Sequence, residues 1–136
     1  MESKSVNILG IETSCDETAA AVVTDGSIVK SSVVASQIKL HEKYGGVVPE
    51  LASREHAEKI YPIIKEALEQ AQVTRDNLDA IAIANQPGLA MALVVGVTAA
   101  KTLSFAWQKP LISINHLHAH LQSAMLSEQD IELPAA

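Results

Sequence analysis

The sequence predicts an α/β fold built on a mixed five-stranded sheet, with strands and helices in the order β-β-β-α-β-α-β-α. Two observations lead to this prediction. The first part of the chain holds three short segments rich in small and β-branched apolar residues, separated by turn signals, as is typical of antiparallel strands. The rest alternates two more such segments with stretches of helical periodicity, as is typical of βα units. A mixed sheet of this kind carries its helices on its faces.

The three opening strands are expected at residues 6–12, 18–24 and 27–36. Asp25-Gly26 separates the second strand from the third, and this dipeptide is a strong hairpin signal. The beginning of the chain therefore predicts three consecutive antiparallel strands.

The first long helix is expected after a loop at residues 44–46 that contains two glycines. Pro49 stands where the first turn of a helix tolerates proline. Apolar residues spaced i, i+3, i+4 then predict an amphipathic helix over residues 60–71. Pro62 falls within this stretch and is expected to kink the helix or to begin a second one.

The remaining elements are a fourth strand over residues 78–84, a helix over 91–106, a fifth strand over 111–114 and a third helix over 116–126. The helix at 91–106 is apolar on nearly all sides and long enough to span a membrane. Its richness in Ala, Val and Gly and its charged Lys101 favour a helix buried in the core instead. This order of elements is that of one lobe of an actin-like ATPase (ribonuclease H-like) fold.

Composition excludes several classes of protein. Hydrophobic residues make up 48% of the 136 residues, which excludes a disordered tail and predicts one domain with a core. A net charge of −6 argues against a protein that binds the phosphate backbone of a nucleic acid by itself. An aromatic content of only 3% excludes a surface that binds single-stranded nucleic acid by base stacking. A single cysteine and the lack of a signal-peptide core predict a cytoplasmic protein without an internal disulfide.

The loop between the first two strands is the first candidate site. Its residues combine two carboxylates with small hydroxyl groups: Glu12, Thr13, Ser14, Cys15 and Asp16. Such a turn exposes backbone N–H groups that can hold phosphate oxygens. An ordinary polar hairpin is the alternative. The Cys15 thiol is expected to be inert, because no histidine near it in the sequence would activate it.

A second candidate is the Pro87-Gly88 turn, which follows a strand and precedes a helix. Such a turn brings backbone N–H groups and a helix N-terminus to the carboxyl edge of the sheet, where ligands bind. Taken alone, these residues are better explained as a plain strand-to-helix turn. The segment at residues 41–56 mixes charges with glycines, and its composition favours a solvated helix face with a flexible entry.

Three histidines within five residues form the third candidate. On a helix, His116 and His120 lie one turn apart and face the same way, which is the spacing of a two-imidazole metal site. His118 should point elsewhere. A third ligand must come from another part of the chain, for which Asp130 and Glu132 are candidates; a hydrogen-bonded histidine cluster is the alternative. A zinc protease is disfavoured, because the His-Glu-x-x-His spacing is absent.

Four segments together resemble the family of tRNA threonylcarbamoyladenosine synthesis transferases, once called O-sialoglycoprotein endopeptidases. Residues 8–19 read Ile-Leu-Gly-Ile-Glu-Thr-Ser-Cys-Asp-Glu-Thr-Ala, and residues 45–56 read Gly-Gly-Val-Val-Pro-Glu-Leu-Ala-Ser-Arg-Glu-His. Residues 87–89 read Pro-Gly-Leu, and residues 115–120 read Asn-His-Leu-His-Ala-His. The resemblance extends over residues 6–126.

The resemblance implies an actin-like ATPase fold and transfer of a threonylcarbamoyl group from its adenylate to N6 of adenosine 37, in tRNAs that read codons starting with A. It implies that His116 and His120 are two ligands of one divalent active-site metal, iron or zinc, which acts as Lewis acid and template. The first hairpin would supply the catalytic carboxylates, which are Glu12 and Asp16. It would also supply the contacts to the adenylate, through Thr13, Ser14 and Cys15.

The chain departs from the family pattern in two ways. Gln86 replaces the first glycine of the family's Gly-Pro-Gly-Leu. The family also has two lobes, so residues 1–126 are expected to be the N-terminal lobe, inactive in isolation, and residues 127–136 the start of the connection to the second.

The resemblance also implies partners: a paralogous actin-like subunit and an ATPase subunit of the bacterial type, but no membrane. Since the lobe is acidic, tRNA contacts are expected from the second lobe or from partners. Residues 45–71 are expected to face a partner. Without the second lobe an apolar edge would be exposed, and this edge would favour a homodimer.

Two other functions remain open at this point. The carbamoyltransferase of hydrogenase maturation has a His-x-His-Ala-His motif that resembles residues 116–120, although the segments at 13–17 and 45–49 favour the first family. The other function is that of a non-catalytic scaffold that dimerises with a paralogue, but such a scaffold has no need of paired metal ligands.

Overall fold

The computed structural model describes residues 3–126, and it confirms the predicted α/β fold. The strands are β1 (Asn7–Glu12), β2 (Glu17–Thr24), β3 (Ile28–Ser36), β4 (Ala80–Gln86) and β5 (Leu111–Asn115). The helices are α1 (Ile38–Glu42), α2 (Pro49–Ala71), α3 (Ala90–Trp107) and α4 (His116–Ser123), which is followed by a 3-10 turn at Ala124–Leu126. The proposed connection at residues 127–136 lies outside the described residues.

The five strands form one mixed sheet in the order β3-β2-β1-β4-β5. β2 pairs antiparallel with both β1 and β3, whereas β4 pairs parallel with both β1 and β5. Because β1, β4 and β5 run in the same direction, their carboxyl ends meet at one edge of the sheet. The first hairpin, the Pro-Gly turn and the start of α4 therefore come together there.

The core lies where α2 and α3 pack against each other and against the sheet. Leu9, Val22, Leu78 and Ile81 have no exposed surface. Burial of an aliphatic side chain of this size contributes about 1.5–3 kcal/mol to folding. These contacts fix the three central strands β2, β1 and β4, and the carboxyl ends of β1 and β4 lie at the functional edge.

Two of the helix predictions are corrected by the structure. Pro62 lies inside a continuous α2 of 23 residues and neither ends it nor starts a second helix. The apolar face of α2 is buried on both sides of the proline, at Ala52 before it and at Ile63 and Ile64 after it. Packing on the sheet thus holds both halves in line despite the lost backbone hydrogen bond. The short helix α1 was not predicted from the sequence.

The helix α3 is not buried on all sides, contrary to the expectation. Only Ala92, Gly96 and Ala100 are buried, whereas Met91, Val94 and Phe105 are exposed. By length and apolar composition α3 would suffice to cross a membrane. Its stripe of small residues instead lets it pack closely on β4 and α2, as a helix of an α/β core does.

Asp79 ties the beginning of β1 to the segment that leads into β4. Its Oδ2 accepts a hydrogen bond from the Asn7 backbone N–H at 2.9 Å, and its Oδ1 lies 3.0 Å from Lys4 Nζ. The bond from Asn7 and the ammonium of Lys4 lower the pKa of Asp79 below its usual value. The ionised carboxylate therefore stabilises the folded chain.

We predict that the Asp79→Asn variant differs most from the wild type near neutral pH. Because the folded pKa lies below the unfolded value of about 3.9, the contribution of Asp79 is complete above that value. It is lost as the pH falls through the folded pKa. The free energy of unfolding, measured with urea from pH 7 down to about pH 2, should show the difference shrinking in acid.

Asp76→Asn is the matched control, because Asp76 is exposed and contacts only the neighbouring Arg75 among the ion pairs of the described chain. A difference between Asp79→Asn and the wild type that stays constant over this pH range would contradict the prediction.

Candidate metal and nucleotide site

A cavity of about 450 Å³, lined by several polar and charged side chains, lies at the carboxyl edge of the sheet. It is lined by residues of the first hairpin and of α4: Glu12, Ser14, Cys15, Asp16, Glu17, His116, Ala119 and His120. The structure therefore brings the first and third sequence-predicted candidates into one site. This follows from the parallel pairing of β1, β4 and β5.

The two histidines project into this cavity side by side. The Asn115 side chain caps α4 by accepting hydrogen bonds from the N–H groups of Leu117 and His118, so the helix begins directly at His116. The Nε2 atoms of His116 and His120 are 2.9 Å apart, and the rings meet edge to face. The predicted one-turn spacing is thus confirmed. His118 lines a different hollow, with Ile114 and residues of α4.

The first hairpin fixes the orientation of His116. His116 Nδ1 lies 2.8 Å from Glu12 Oε2 and 3.2 Å from Ser14 Oγ. Because a carboxylate accepts hydrogen bonds, this contact favours the tautomer with the proton on Nδ1, in which Nε2 carries the lone pair. Glu12 is held in turn, because its Oε1 accepts from the Ser14 backbone N–H at 2.5 Å. A carboxylate on the far nitrogen of an imidazole is the usual support of a metal-binding histidine.

These residues fit two positions in the coordination sphere of a divalent metal. Histidine nitrogens bind Zn²⁺ at about 2.0–2.1 Å, so two Nε2 atoms 2.9 Å apart can share one ion. Within residues 3–126 no third His, Cys, Asp or Glu completes the cluster. Asp130 and Glu132, the candidate third ligands, lie outside the described residues.

The side chain of Thr13, which was expected among the nucleotide contacts, points away from the cavity. It has no exposed surface, and its hydroxyl donates to the Ala92 carbonyl at 2.8 Å and accepts from the Gly96 N–H at 3.1 Å. Both partners belong to α3. The side chain therefore has no group left for a ligand, while Ser14 and Cys15 do line the cavity.

The Pro-Gly turn supports the hairpin directly. The Leu89 N–H donates to the Ser14 carbonyl at 2.8 Å, so this N–H is not free for an anion. A Cβ on Gly88 would lie 2.6 Å from that same carbonyl oxygen, which is closer than atoms approach. Glycine is therefore required here by the close contact between the two loops. Gln86 is exposed, at the end of β4.

The Cys15 thiol has a raised pKa, because of its partial burial and the neighbouring Asp16 carboxylate. A thiol with a raised pKa forms less thiolate and is a poorer nucleophile. The expectation of an unactivated cysteine agrees with this environment.

Two buried histidines that the sequence analysis placed on a solvated face, His41 on α1 and His56 on α2, support the hairpin. His56 has no exposed surface; its Nε2 donates to the Cys15 carbonyl, and its Nδ1 lies 2.8 Å from Thr18 Oγ1. His41 is also buried and bonds to Gln37, whose N–H donates to the Asp16 carbonyl. The interpretation as a solvated face is wrong at these positions. The sequence signal was a pair of histidines flanking the glycines of residues 45–46.

Comparisons with known proteins agree with the resemblance noted above. A family model described as "TsaD: tRNA N6-adenosine threonylcarbamoyltransferase" matches residues 28–136. A protein of that name from Syntrophobacter fumaroxidans is 57% identical over 93% of this chain and 38% of its own length. Another from Clostridium novyi is 54% identical over 97% of this chain and 39% of its own length. The chain thus spans little more than a third of the curated relatives it matches.

The solved structure "YeaZ from Pseudomonas aeruginosa" matches with a TM-score of 0.64 and 22% identity, over 88% of this chain and 47% of that one. At that identity the likeness supports the fold alone, and it agrees with the predicted α/β lobe built on a mixed five-stranded sheet. The family is decided by the sequence match, which extends over most of the chain. On these grounds the chain belongs to the tRNA N6-adenosine threonylcarbamoyltransferase family.

Proposed function

We propose that this chain is the metal-binding N-terminal lobe of an enzyme that transfers a threonylcarbamoyl group from its adenylate to N6 of adenosine 37, in tRNAs reading codons that start with A. The observation that carries the proposal is the pair of Nε2 atoms 2.9 Å apart, with the Glu12 carboxylate behind one of them. A scaffold subunit has no use for such a pair. Membership in a transferase family supports the reaction type.

The residues of the lobe have distinct roles in this proposal. His116 and His120 would hold one divalent ion, iron or zinc, which supplies Lewis-acid polarisation of the carbamoyl carbonyl when bound. Glu12 keeps the proton on His116 Nδ1 and so leaves Nε2 free as a ligand. Ser14 and Cys15, at the cavity wall, would contact the adenylate.

The transfer forms a bond from N6 of the adenosine to the carbonyl carbon of the threonylcarbamoyl group. The bond from that carbon to the phosphate oxygen breaks, the adenylate leaves with its electron pair, and N6 loses a proton. Asp16 is a half-buried carboxylate in the same cavity, and we assign it as the acceptor of this proton. Glu12 is less suited, because both of its oxygens are already engaged.

The partners proposed for the whole protein follow from charge and exposed surface. A net charge of −6 leaves the tRNA contacts to the second lobe or to partner subunits. A groove between α2 and α3 is lined mostly by apolar residues, among them Tyr61, which is 72% exposed. We propose that a paralogous actin-like subunit covers this face and that an ATPase subunit joins the complex in the cytoplasm. A second copy of this chain on the same face is the alternative.

The first prediction of this proposal concerns the metal. The chain should bind one Zn²⁺ weakly, and His116→Ala or His120→Ala should abolish the uptake, because each removes one of the two imidazole ligands. His118→Ala is the matched control and should bind as the wild type does, since His118 lies outside the cavity. Isothermal titration calorimetry measures all four proteins; equal uptake by the wild type and both ligand variants would refute the site.

The second prediction concerns Glu12. Glu12→Gln removes the charge behind His116 Nδ1 and should weaken Zn²⁺ binding about tenfold, the lower end of the range for such supporting groups. Glu17→Gln removes the same charge from the rim of the same cavity without touching His116, and its effect should be much smaller. Equal losses in the two variants would mean that only the net charge of the cavity matters.

The third prediction concerns activity. The 136-residue chain alone should not modify tRNA, because its curated relatives are about two and a half times as long and the cavity is open on one side. The assay is transfer of radiolabelled threonylcarbamoyl from its adenylate to unmodified tRNA, with a full-length relative as the positive control. Turnover by the 136-residue chain would show that this lobe contains the whole catalytic site.

A further inference from the structure

Thr13 has an unusual place between the two residues that hold His116. Its neighbours in the chain, Glu12 and Ser14, both lie within hydrogen-bond distance of His116 Nδ1. Thr13 itself points the opposite way and is fully buried against α3. One short segment therefore faces the cavity with two side chains and α3 with the third.

The Thr13 hydroxyl enters the hydrogen-bond pattern of α3. It accepts from the Gly96 N–H and donates to the Ala92 carbonyl. In a regular α-helix those two groups pair with each other, four residues apart. Thr13 thus forms hydrogen bonds to two backbone groups of a helix that normally bond to each other. Both the bond that it donates and the bond that it accepts require a defined orientation of its hydroxyl group.

Gly96 makes this contact possible. A Cβ at position 96 would collide with Thr13 Oγ1 and would lie 3.1 Å from Ile83 Cδ1. The hairpin is held a second time one residue later, where the Leu89 N–H donates to the Ser14 carbonyl. The beginning of α3 therefore fixes both the side chain of Thr13 and the backbone of Ser14.

We propose that Thr13 is a positioning residue for the imidazole pair. Its hydrogen bonds to α3 set the position of the Glu12–Ser14 segment relative to the His116 ring. This position in turn keeps His116 in the Nδ1–H form, with Nε2 directed at His120. The proposal rests on the proposed function only in taking the imidazole pair as the metal site. The placement of the hairpin by α3 is independent of the metal.

The test compares Thr13→Val, which removes the hydroxyl and nearly keeps the shape, with Thr13→Ser, which keeps the hydroxyl. Thr102→Val makes the same chemical change on the exposed side of α3 and is the control. Two quantities are measured on the 136-residue chain: the Zn²⁺ dissociation constant by calorimetry, and the tautomer of His116 by long-range ¹H–¹⁵N NMR without metal. Thermal unfolding confirms that each variant is folded.

We expect Thr13→Val to raise the Zn²⁺ dissociation constant about tenfold, as loss of outer support does, and to give His116 a mixture of tautomers. Thr13→Ser and Thr102→Val should keep the wild-type affinity and the single Nδ1–H form. A folded Thr13→Val chain with wild-type affinity and tautomer would overturn the proposal. If Thr13→Val does not fold, Gly96→Ala disturbs the same contact from the helix side and is subject to the same criterion.

The two proposals fail in different ways. If the wild-type chain takes up no Zn²⁺, the metal assignment fails, but the tautomer comparison on the metal-free chain still tests Thr13. If Zn²⁺ binds and depends on His116 while Thr13→Val changes neither quantity, the metal site stands and the positioning role is wrong.

Discussion

The attachment of the first hairpin to α3 is the interaction on which the rest of the site depends. The hairpin between β1 and β2 carries the residues that face the cavity, yet a polar turn of this length has few contacts of its own. Thr13 and Ser14 bind it to α3 and to the Pro-Gly turn, and His56 binds the Cys15 carbonyl from α2. Three separate elements thus hold one short segment. The Glu12 carboxylate reaches His116 because of this support.

The sequence was sufficient for those features that local pattern determines. Strands appear as short β-branched runs, and all five were found close to their observed bounds. The spacing of His116 and His120 placed them on one side of a helix, because the period of an α-helix brings residues four apart onto the same face. Even the meeting of the hairpin with the histidines could be inferred, since it follows once β1, β4 and β5 are known to be parallel.

The sequence was insufficient where a contact between distant residues decides the outcome. Thr13 and Ala92 are 79 positions apart, and no periodicity shows that the threonine faces α3 rather than the cavity. His56 was taken for a surface residue because its neighbours are charged, whereas its partners Thr18 and Cys15 lie in another element. Pro62 was expected to interrupt α2, but packing on the sheet outweighs the cost of one missing hydrogen bond.

Helix α3 connects the proposed partner surface to the proposed metal site. Near its beginning it holds Thr13 through Ala92 and Gly96, and further along its Leu103 and Trp107 line the groove proposed for the partner. A helix packed in a core moves as a rigid element, so a subunit seated on this groove would act on the hairpin through the same helix. A shift of α3 would pull on Thr13 and so on the segment that carries Glu12. In the proposed complex, partner binding would therefore reach the metal geometry through the packing of this lobe, without any contact between the partner and the histidines.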